Sequence, residues 1–425
     1  MKPLVILAAF LLFDFAVQAQ IIDPGRAAKR AIERRVNRKI EESIDKTLDK
    51  AEEEIEGKSN SSSGDDKSNT SGPGFSSTGK FDFISGEKVI AVEDFSQDAL
   101  GDFPARWNTN GSGELVRLNN NTAKFLKLTQ ESVLYPEFVK NLPDNFTVEF
   151  DLSSTPEFSY YNGHLIIGFT SEPNVGAKWR TFSKYGNRKD ETKSTVEVAF
   201  HPTSAGGNQG MTVIQSFSGG NETLENDDEQ GAFATKSGRT NVHVSIWRQK
   251  SRIRVYIDQF KVWDIPRAFA SDIKINSLYF RNDGTDKDGQ AYFVSNLKVA
   301  VGAPDTRNKL ITEGRFVTSG ILFDVNSDKI KPESYGVLKE IGNVLAENED
   351  VKIKIIGHTD SDGDEAANLL LSKKRAESVK KALSSQFGIN SSRMTTDGKG
   401  EAEPAGPNTS VEGKANNRRV EFVKQ

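Results

Sequence analysis

Apolar positions along this chain follow three successive rhythms. From Asp23 to Lys58, the residues Ile32, Val36, Ile40, Ile44, Leu48, Ala51 and Ile55 recur every three or four positions, which places them on one stripe of a long amphipathic helix. Between Lys80 and Gly302 the period drops to two, in runs such as Phe146-Val148-Phe150-Leu152, Val196-Val198-Phe200 and Val242-Val244-Ile246. Further runs stand at Ile253-Val255-Ile257, Leu278-Phe280 and Tyr292-Val294, with Gly, Asn and Asp between them. Strands half buried on one face follow, and an antiparallel β-sandwich is the expected architecture. In the last part helix and strand signals alternate: strand Val317 to Phe323, helix Pro332 to Ala346, strand Val351 to Ile356, helix Asp364 to Phe387, a strand near Arg393 to Asp397 and a last strand Arg418 to Val423. That order implies an α/β sandwich.

Between these parts the chain loses its apolar residues. Residues 59–79 are Ser, Gly, Asn and Asp with Phe75 almost alone, a composition that predicts a flexible linker. Lys2, the apolar run Pro3 to Phe13 and the small-residue end Val17-Gln18-Ala19 have the parts of a secretory leader, with cleavage expected after Ala19. The apolar run is shorter than the ~20 residues needed to span a bilayer and is broken by Asp14. The expected organisation is therefore a signal peptide at 1–19, an amphipathic helix at 20–58, a linker at 59–79, a β-sandwich at 80–302, a connector at 303–309 and an α/β domain at 310–425.

Charge divides the first helix. Arg26, Lys29, Arg30, Arg34, Arg35, Arg38 and Lys39 fill its first half, while Glu41, Glu42, Asp45, Asp49, Glu52, Glu53, Glu54 and Glu56 fill its second, an order that opposes the helix dipole at both ends. Two copies packed antiparallel would match each basic half with an acidic one, so self-association through residues 26–56 as a coiled coil is the preferred reading. Adsorption of the basic half to lipid phosphates and a solvated spacer helix stay open beside it.

Over the whole chain, 60 acidic and 56 basic residues leave a net charge of −4, which gives no general attraction to nucleic acid. There is no cysteine, so disulfides, thiol catalysis, Cys-ligated metals and an N-terminal lipidated cysteine are excluded. No segment reads as a transmembrane helix, and no array of lipid-facing strands suggests a barrel. An exported protein on the periplasmic side of the outer membrane is expected.

Candidate chemistry concentrates near the C-terminus. The strand Val351-Lys352-Ile353-Lys354-Ile355 alternates apolar and cationic residues and ends in Gly357-His358-Thr359-Asp360. On the helix that follows, Leu369, Ala376, Val379 and Leu383 are expected on the core side, with Asn368, Ser372 and Arg375 along an adjacent stripe. Asp360 at the mouth of that helix and Arg375 along it form a carboxylate and a guanidinium across a small gap, an arrangement suited to a zwitterionic amino-acid head group.

Several motifs coincide here: Ile321-Leu322-Phe323-Asp324, Gly357-His358-Thr359-Asp360 with Gly363, Asn368-Leu369-Leu370-Leu371-Ser372 with Arg375-Ala376, Gly398-Lys399-Gly400-Glu401 with Pro404 and Asn408, and Asn417-Arg418-Arg419-Val420. In order and spacing this stretch, from about Arg315 onward, resembles the OmpA-like peptidoglycan-binding domain. The resemblance implies non-covalent binding of the peptidoglycan stem peptide through its diaminopimelate residue, tethering the outer envelope to the cell wall. By position, Asp360 would take the ligand's ammonium and Arg375 its carboxylate. Asp324, Asn368 and Arg418 would add polar contacts, and Phe323 and Thr359 would shape the pocket. A helix cap is the plainer role for Asp360, and a sheet-edge ion pair the plainer role for Arg418.

The β-rich region resembles LamG-like, concanavalin-type jelly rolls. The likeness rests on Asp94-Phe95-Ser96, Gly101-Asp102-Phe103-Pro104 and the hairpin from Trp247 to Trp263 with its Val255-Tyr256-Ile257-Asp258 core. A hydrolase of that kind would need a Glu-x-Asp-x-Glu strand, but after Glu149-Phe150-Asp151 position 153 is Ser, so no enzyme activity is expected. The run Asp283-Gly284-Thr285-Asp286-Lys287-Asp288 could gather calcium but reads more simply as an Asx-rich turn, and no cofactor or metal is expected. His164, His201 and His243 read as ordinary strand or loop residues. Tyr160, Tyr161, Trp179 and Tyr185 could stack on sugar rings, though packing is the commoner use of such residues. The alternative function is a lectin-like adhesion or scaffold protein, whose β-sandwich binds a glycan or protein while the C-terminal domain anchors it.

Overall fold

In the computed structural model the period-two runs send one side of each strand into a shared interior and the other outward. The structure describes residues 81–425, apart from 119–121, 187–193, 220, 272, 286–288 and 303–304. The leader, the amphipathic helix and the linker expected at 1–79 lie outside the described residues, as do Asp286 and Asp288 of the acidic loop and part of the connector at 303–309.

Two eight-stranded antiparallel sheets form the larger part. The first runs Phe260–Ile265, Arg252–Ile257, Asn241–Gln249, Asn145–Ser154, Tyr292–Val301, Lys124–Leu128 and Glu114–Arg117, and Lys88–Glu93 also pairs with Tyr292–Val301. The second runs Asn221–Gln230, Gly210–Ser218, Ser194–His201, Leu165–Thr170, Ile275–Asn282, Ser132–Pro136 and Trp107–Thr109, and Lys140–Leu142 also pairs with Ile275–Asn282. Phe146, Val148, Phe150 and Leu152 of the first sheet meet Val196, Val198 and Phe200 of the second in one apolar core, which also takes in the runs at 242–246, 253–257, 278–280 and 292–294. The outward side of the first sheet carries Thr147, Glu149, His243, Trp247, Tyr256 and Lys298, so its polar positions are the ones left to meet other parts of the chain.

The C-terminal part is a four-stranded sheet ordered Arg315–Thr318, Val420–Lys424, Ile353–Gly357 and Met394–Gly398, with the last two parallel and the rest antiparallel. Helices α1 (Tyr335–Glu347) and α2 (Glu365–Phe387) cover it, and α3 (Val411–Asn417) leads into the strand Val420–Lys424. Ile353 and Ile355 are fully buried beneath the helices, while Lys354 turns outward to Asp397 at 2.7 Å, as the alternation predicts.

Three details differ from the sequence expectation. The strand begun at Val317 stops at Thr318, and residues 322–331 fold back on themselves through a Phe323–Ile330 bridge and the Lys331 N–H bond to Leu322 O at 2.9 Å. Leu369, expected in the core, is 51% exposed, and Asn368 and Ser372 occupy the buried side of α2 instead. The cause is close approach: a Cβ on Gly357 would lie 2.2 Å from Ser372 O, and one on Gly398 would lie 2.5 Å from Lys373 N, so the first turns of α2 press against glycine-walled strand ends where a leucine has no room. The short helix α3 had no counterpart in the sequence reading.

The two parts touch extensively. Phe81 and Phe83 pack edge-on against Tyr256 and Trp247 of the first sheet and join the core under α1 and α2. Asn416 of α3 donates to Val89 O at 2.9 Å and accepts from Val89 N at 3.1 Å, so its amide pairs with the backbone of Lys88–Glu93 much as a neighbouring strand would. Among the described residues no helix is long and apolar enough to cross a membrane.

Candidate functional site

The strand Ile353–Gly357 delivers Asp360 to the start of α2 through a turn tied down on both sides. Thr359 N donates to Gly400 O at 2.9 Å, and Lys399 N donates to Gly357 O at 3.0 Å, which joins the two loops that follow the parallel strands. Asp364, not Asp360, caps α2: its carboxylate accepts the Ala367 N–H at 2.9 Å. Asp360 is left free of that duty. Its Oδ1 accepts from Asp362 N at 3.2 Å, and its Oδ2 accepts a hydrogen bond from Arg418 Nη1. Asp360 is only 7% exposed, whereas the Arg418 side chain is 47% exposed, so the carboxylate is reached from the side that the guanidinium covers.

Arg375 is placed differently. Its Nε donates to Ser327 O at 3.0 Å, and its guanidinium lies over the Phe323 ring, 4.9 Å from the centroid. Among the described residues no carboxylate lies within ion-pair distance of it. Burial and the nearby Arg418 push this guanidinium down from its ordinary value, with Asp360 and Asp328 acting the other way. An arginine does not give up its proton in such surroundings, so the unmet charge favours an anionic guest.

The remaining predicted residues divide. Asn368, two turns before Arg375 on α2, has partners of its own: its amide nitrogen lies 3.3 Å from Asp360 O, 3.1 Å from Asp362 O and 2.8 Å from Glu401 Oε2, so it fixes the Asp360 turn. Thr359 is buried with no partner for its hydroxyl. Asp324 is half exposed at the head of its loop, with Lys329 Nζ 3.9 Å away. The structure thus brings Asp360, Arg418 and Asn368 together, stacks Arg375 on Phe323, and leaves Asp324 apart with Lys329.

A cleft opens here, lined by Leu322, Phe323, His358, Arg375, Arg418 and Arg419 on the C-terminal part, and by Val89 and Lys298 of the first sheet. His358 is almost fully buried; its Nε2 faces the Glu421 carboxylate at 3.3 Å, and its Nδ1 makes no hydrogen bond.

Residues 322–418 match the model of the OmpA family. They form an OmpA-like domain. Among curated relatives, the chain is 42% identical over 105 residues to the "Probable lipoprotein YiaD" of Escherichia coli, covering 25% of this chain and 48% of that protein. It is 40% identical over 101 residues to the outer membrane porin F of Pseudomonas fluorescens, covering 24% of this chain and 31% of that protein. The chain thus spans about half or less of these relatives. Among solved structures, the peptidoglycan-associated lipoprotein from Burkholderia pseudomallei aligns at 30% identity over 25% of this chain and 88% of that one, with a TM-score of 0.23.

Within the OmpA-like domain, several residues that the motifs contain without an assigned role hold the site in place. Asn417 accepts from Ala405 N at 2.7 Å and Gly406 N at 2.8 Å, and it donates to Asn408 Oδ1 at 2.7 Å. Asn408 in turn accepts from Ser361 N at 3.3 Å, so a chain of amides connects the residue before Arg418 to the residue after Asp360. Ser372 Oγ accepts the Gly400 N–H at 2.9 Å. Glu421 gathers Arg419 at 2.7 Å, Arg315 at 2.7 Å and His358 at 3.3 Å; burial works against its charge, but His358 and Arg419 hold it down at about 2. Asn417 opens the motif Asn417-Arg418-Arg419-Val420, but sequence does not tell which way its amide turns.

Outside this domain, the Glu149-x-Asp151 pair lies on the outward side of the first sheet and is taken up by its own chain. Glu149 is bonded by Ser85 Oγ at 2.7 Å and Lys298 Nζ at 2.8 Å, and His243 lies between the two acids, 2.7 Å from Asp151 and 3.5 Å from Glu149. His243 is therefore no ordinary strand residue, and burial is overridden by the two acids, which push it up to about 10. His164 and His201 meet edge to face with ring centroids 5.1 Å apart, and burial pushes both down to about 4. Asp283 of the acidic loop is bound by Arg281 Nε at 2.7 Å, and no group of three metal-ligating side chains occurs among the described residues.

Proposed function

We propose that this protein binds peptidoglycan non-covalently through the diaminopimelate of its stem peptide, and so tethers the outer envelope to the cell wall from the periplasmic side. The observation that carries this reading is the pairing of a nearly buried Asp360, covered by the half-exposed Arg418, with Arg375, a stacked cation that has no carboxylate within ion-pair distance among the described residues. An ammonium can take the place of the Arg418 guanidinium on Asp360, and a carboxylate can meet the free edge of Arg375 in bidentate fashion. Phe323 fixes the plane of that guanidinium, Asn368 fixes the Asp360 turn, and Thr359 supplies a buried hydroxyl without a partner. Asp324 would add a polar contact. The relative named for the outer membrane supports the same location. Binding, not catalysis, is the proposed activity.

Sedimentation with purified sacculi tests this. Losing a charge-assisted pair costs about 1.5–3 kcal/mol, so Asp360→Ala and Arg375→Ala are each expected to weaken retention at least about tenfold. Retention equal to wild type in both variants would refute the assignment.

A second reading concerns the two-sheet part, which we propose to be a LamG-like, concanavalin-type sandwich. Tyr160 and Tyr161 stand edge to face at 5.6 Å on its surface, with Tyr161 79% and Tyr185 84% exposed, which favours a sugar-stacking role. Retention of the full chain on a glycan array, lost in Tyr161→Ala and kept in Asp360→Ala, would support this lectin-like role; retention unchanged by Tyr161→Ala would oppose it.

A further inference from the structure

We infer that the two-sheet part completes the ligand site of the OmpA-like domain, with Lys298 receiving a second carboxylate of the same bound stem peptide. This inference rests on the peptidoglycan reading and extends it to residues that an isolated OmpA-like domain does not possess.

The cleft supplies the geometry. Arg375, Arg418 and Phe323 form one wall, and Val89 with Lys298 forms the other. The separation of the walls is fixed by bonded contacts: the Asn416 amide on the Val89 backbone, Arg106 on Glu412 at 3.3 Å, and Ala415 packed on Val89 and Ala300. Lys298 is held at the base of its ammonium by Glu149 Oε1 at 2.8 Å, which occupies one of its three N–H groups, and its side chain keeps 18% exposure on the cleft side.

The floor supplies a second, independent observation. His358, which lines the cleft, is buried with its Nδ1 unbonded while its Nε2 faces the Glu421 carboxylate at 3.3 Å, and Arg419 Nη1 is buried without a partner. Buried polar atoms are nearly always satisfied, so unmet groups at the floor of a cleft mark a place where a guest or its water belongs.

Charge then selects the guest. Of the cations around the cleft, Arg418 and Arg419 already face Asp360 and Glu421, whereas Arg375 and the outer side of Lys298 face the opening. A stem peptide carries carboxylates beyond the diamino acid itself, and a chain leaving Arg375 toward the two-sheet part meets Lys298 on the opposite wall. An acidic peptide, with the zwitterion at one end of the cleft and a further carboxylate at the other, fits this pattern.

Titration calorimetry on the full chain with two probes separates the claims. The probes are free meso-diaminopimelate and the tripeptide L-Ala-γ-D-Glu-meso-diaminopimelate. Lys298→Gln keeps a donor for Glu149 but removes the charge, and is expected to weaken the tripeptide about threefold to tenfold while leaving free diaminopimelate unchanged, with Lys298→Arg restoring the tripeptide. Equal tripeptide affinity in wild type and Lys298→Gln would overturn the inference while leaving the zwitterion pocket intact, and so would an equal loss for both probes. A wild-type chain that binds neither probe would overturn the peptidoglycan reading itself.

Discussion

Arg418 donates to the Asp360 carboxylate across 58 positions of sequence, so the residue expected to take a ligand's ammonium already holds a cation of its own chain. That pair closes the Asp360 turn against the strand Val420–Lys424 and keeps a nearly buried carboxylate from standing alone. Because Arg418 is about half exposed, solvent screens the pair and its worth to folding is modest. Arg418→Ala is expected to lower the domain's stability by about 1 kcal/mol, read as a shift in the urea midpoint. An unchanged midpoint would mean that Asp360 does not depend on this partner.

Ser372 gives a larger expected effect. Its hydroxyl is the partner of the Gly400 N–H at the point where α2 meets the loop after Met394–Gly398. Removing it in Ser372→Ala leaves a buried donor unmet, at a cost of about 1–3 kcal/mol. A melting temperature equal to wild type would mean that water or a small shift replaces the bond.

Gly336 lies near the start of α1, where alanine would ordinarily favour the helix by about 1 kcal/mol. In this molecule a Cβ there would stand 2.1 Å from Phe83 O, so the segment carrying Phe81 and Phe83 has to move. Gly336→Ala is therefore expected to destabilise the full chain and to speed proteolysis near residues 81–86. A gain in stability would contradict the observed seating of that segment.

The cluster under Ser85 predicts a pH dependence. His243 is pushed up to about 10 from an ordinary 6.5, so its contribution is complete below pH 6.5 and is lost as pH rises toward 10. Glu149, fully buried, has burial working against its charge, but Lys298 and His243 push it down to about 2 from 4.5, so its contribution is complete above pH 4.5 and fades as pH falls toward 2. Asp151, Asp258 and Lys298 surround the same histidine and carboxylate. Because His164 and His201, held down at about 4, oppose folding as pH falls below 6.5, resistance to urea should be greatest near pH 6.5 and decline on the alkaline side, and His243→Gln should flatten that decline. An alkaline limb of equal slope in the variant would assign it to other groups.

Much of this was legible in the sequence because each strand of the two sheets buries one face only: Phe146 to Leu152 and Val242 to Ile246 alternate as they do because every second position meets water or another polar surface. The motifs around Asp360 and Arg375 were legible for a similar reason, since a turn, a cap and a helix start leave fixed residue types. Leu369 misled because an apolar residue at helical spacing signals a core, whereas here glycines on the facing strands admit only the small Ser372. The association of the two parts left no trace in the pattern. Glu149, His243 and Lys298 look like any solvent-facing positions of a strand, and only the fold brings Ser85, Val89 and Asn416 against them.

The central claim is that one ligand must offer both an ammonium to Asp360 and a carboxylate to Arg375. Competition for sacculus-bound full chain tests it most directly, with meso-diaminopimelate set against pimelate, which has the same carbon chain and both carboxylates but no amine. The account predicts release by diaminopimelate and none by pimelate at the same concentration. Equal release by the two, or release by neither, would contradict it.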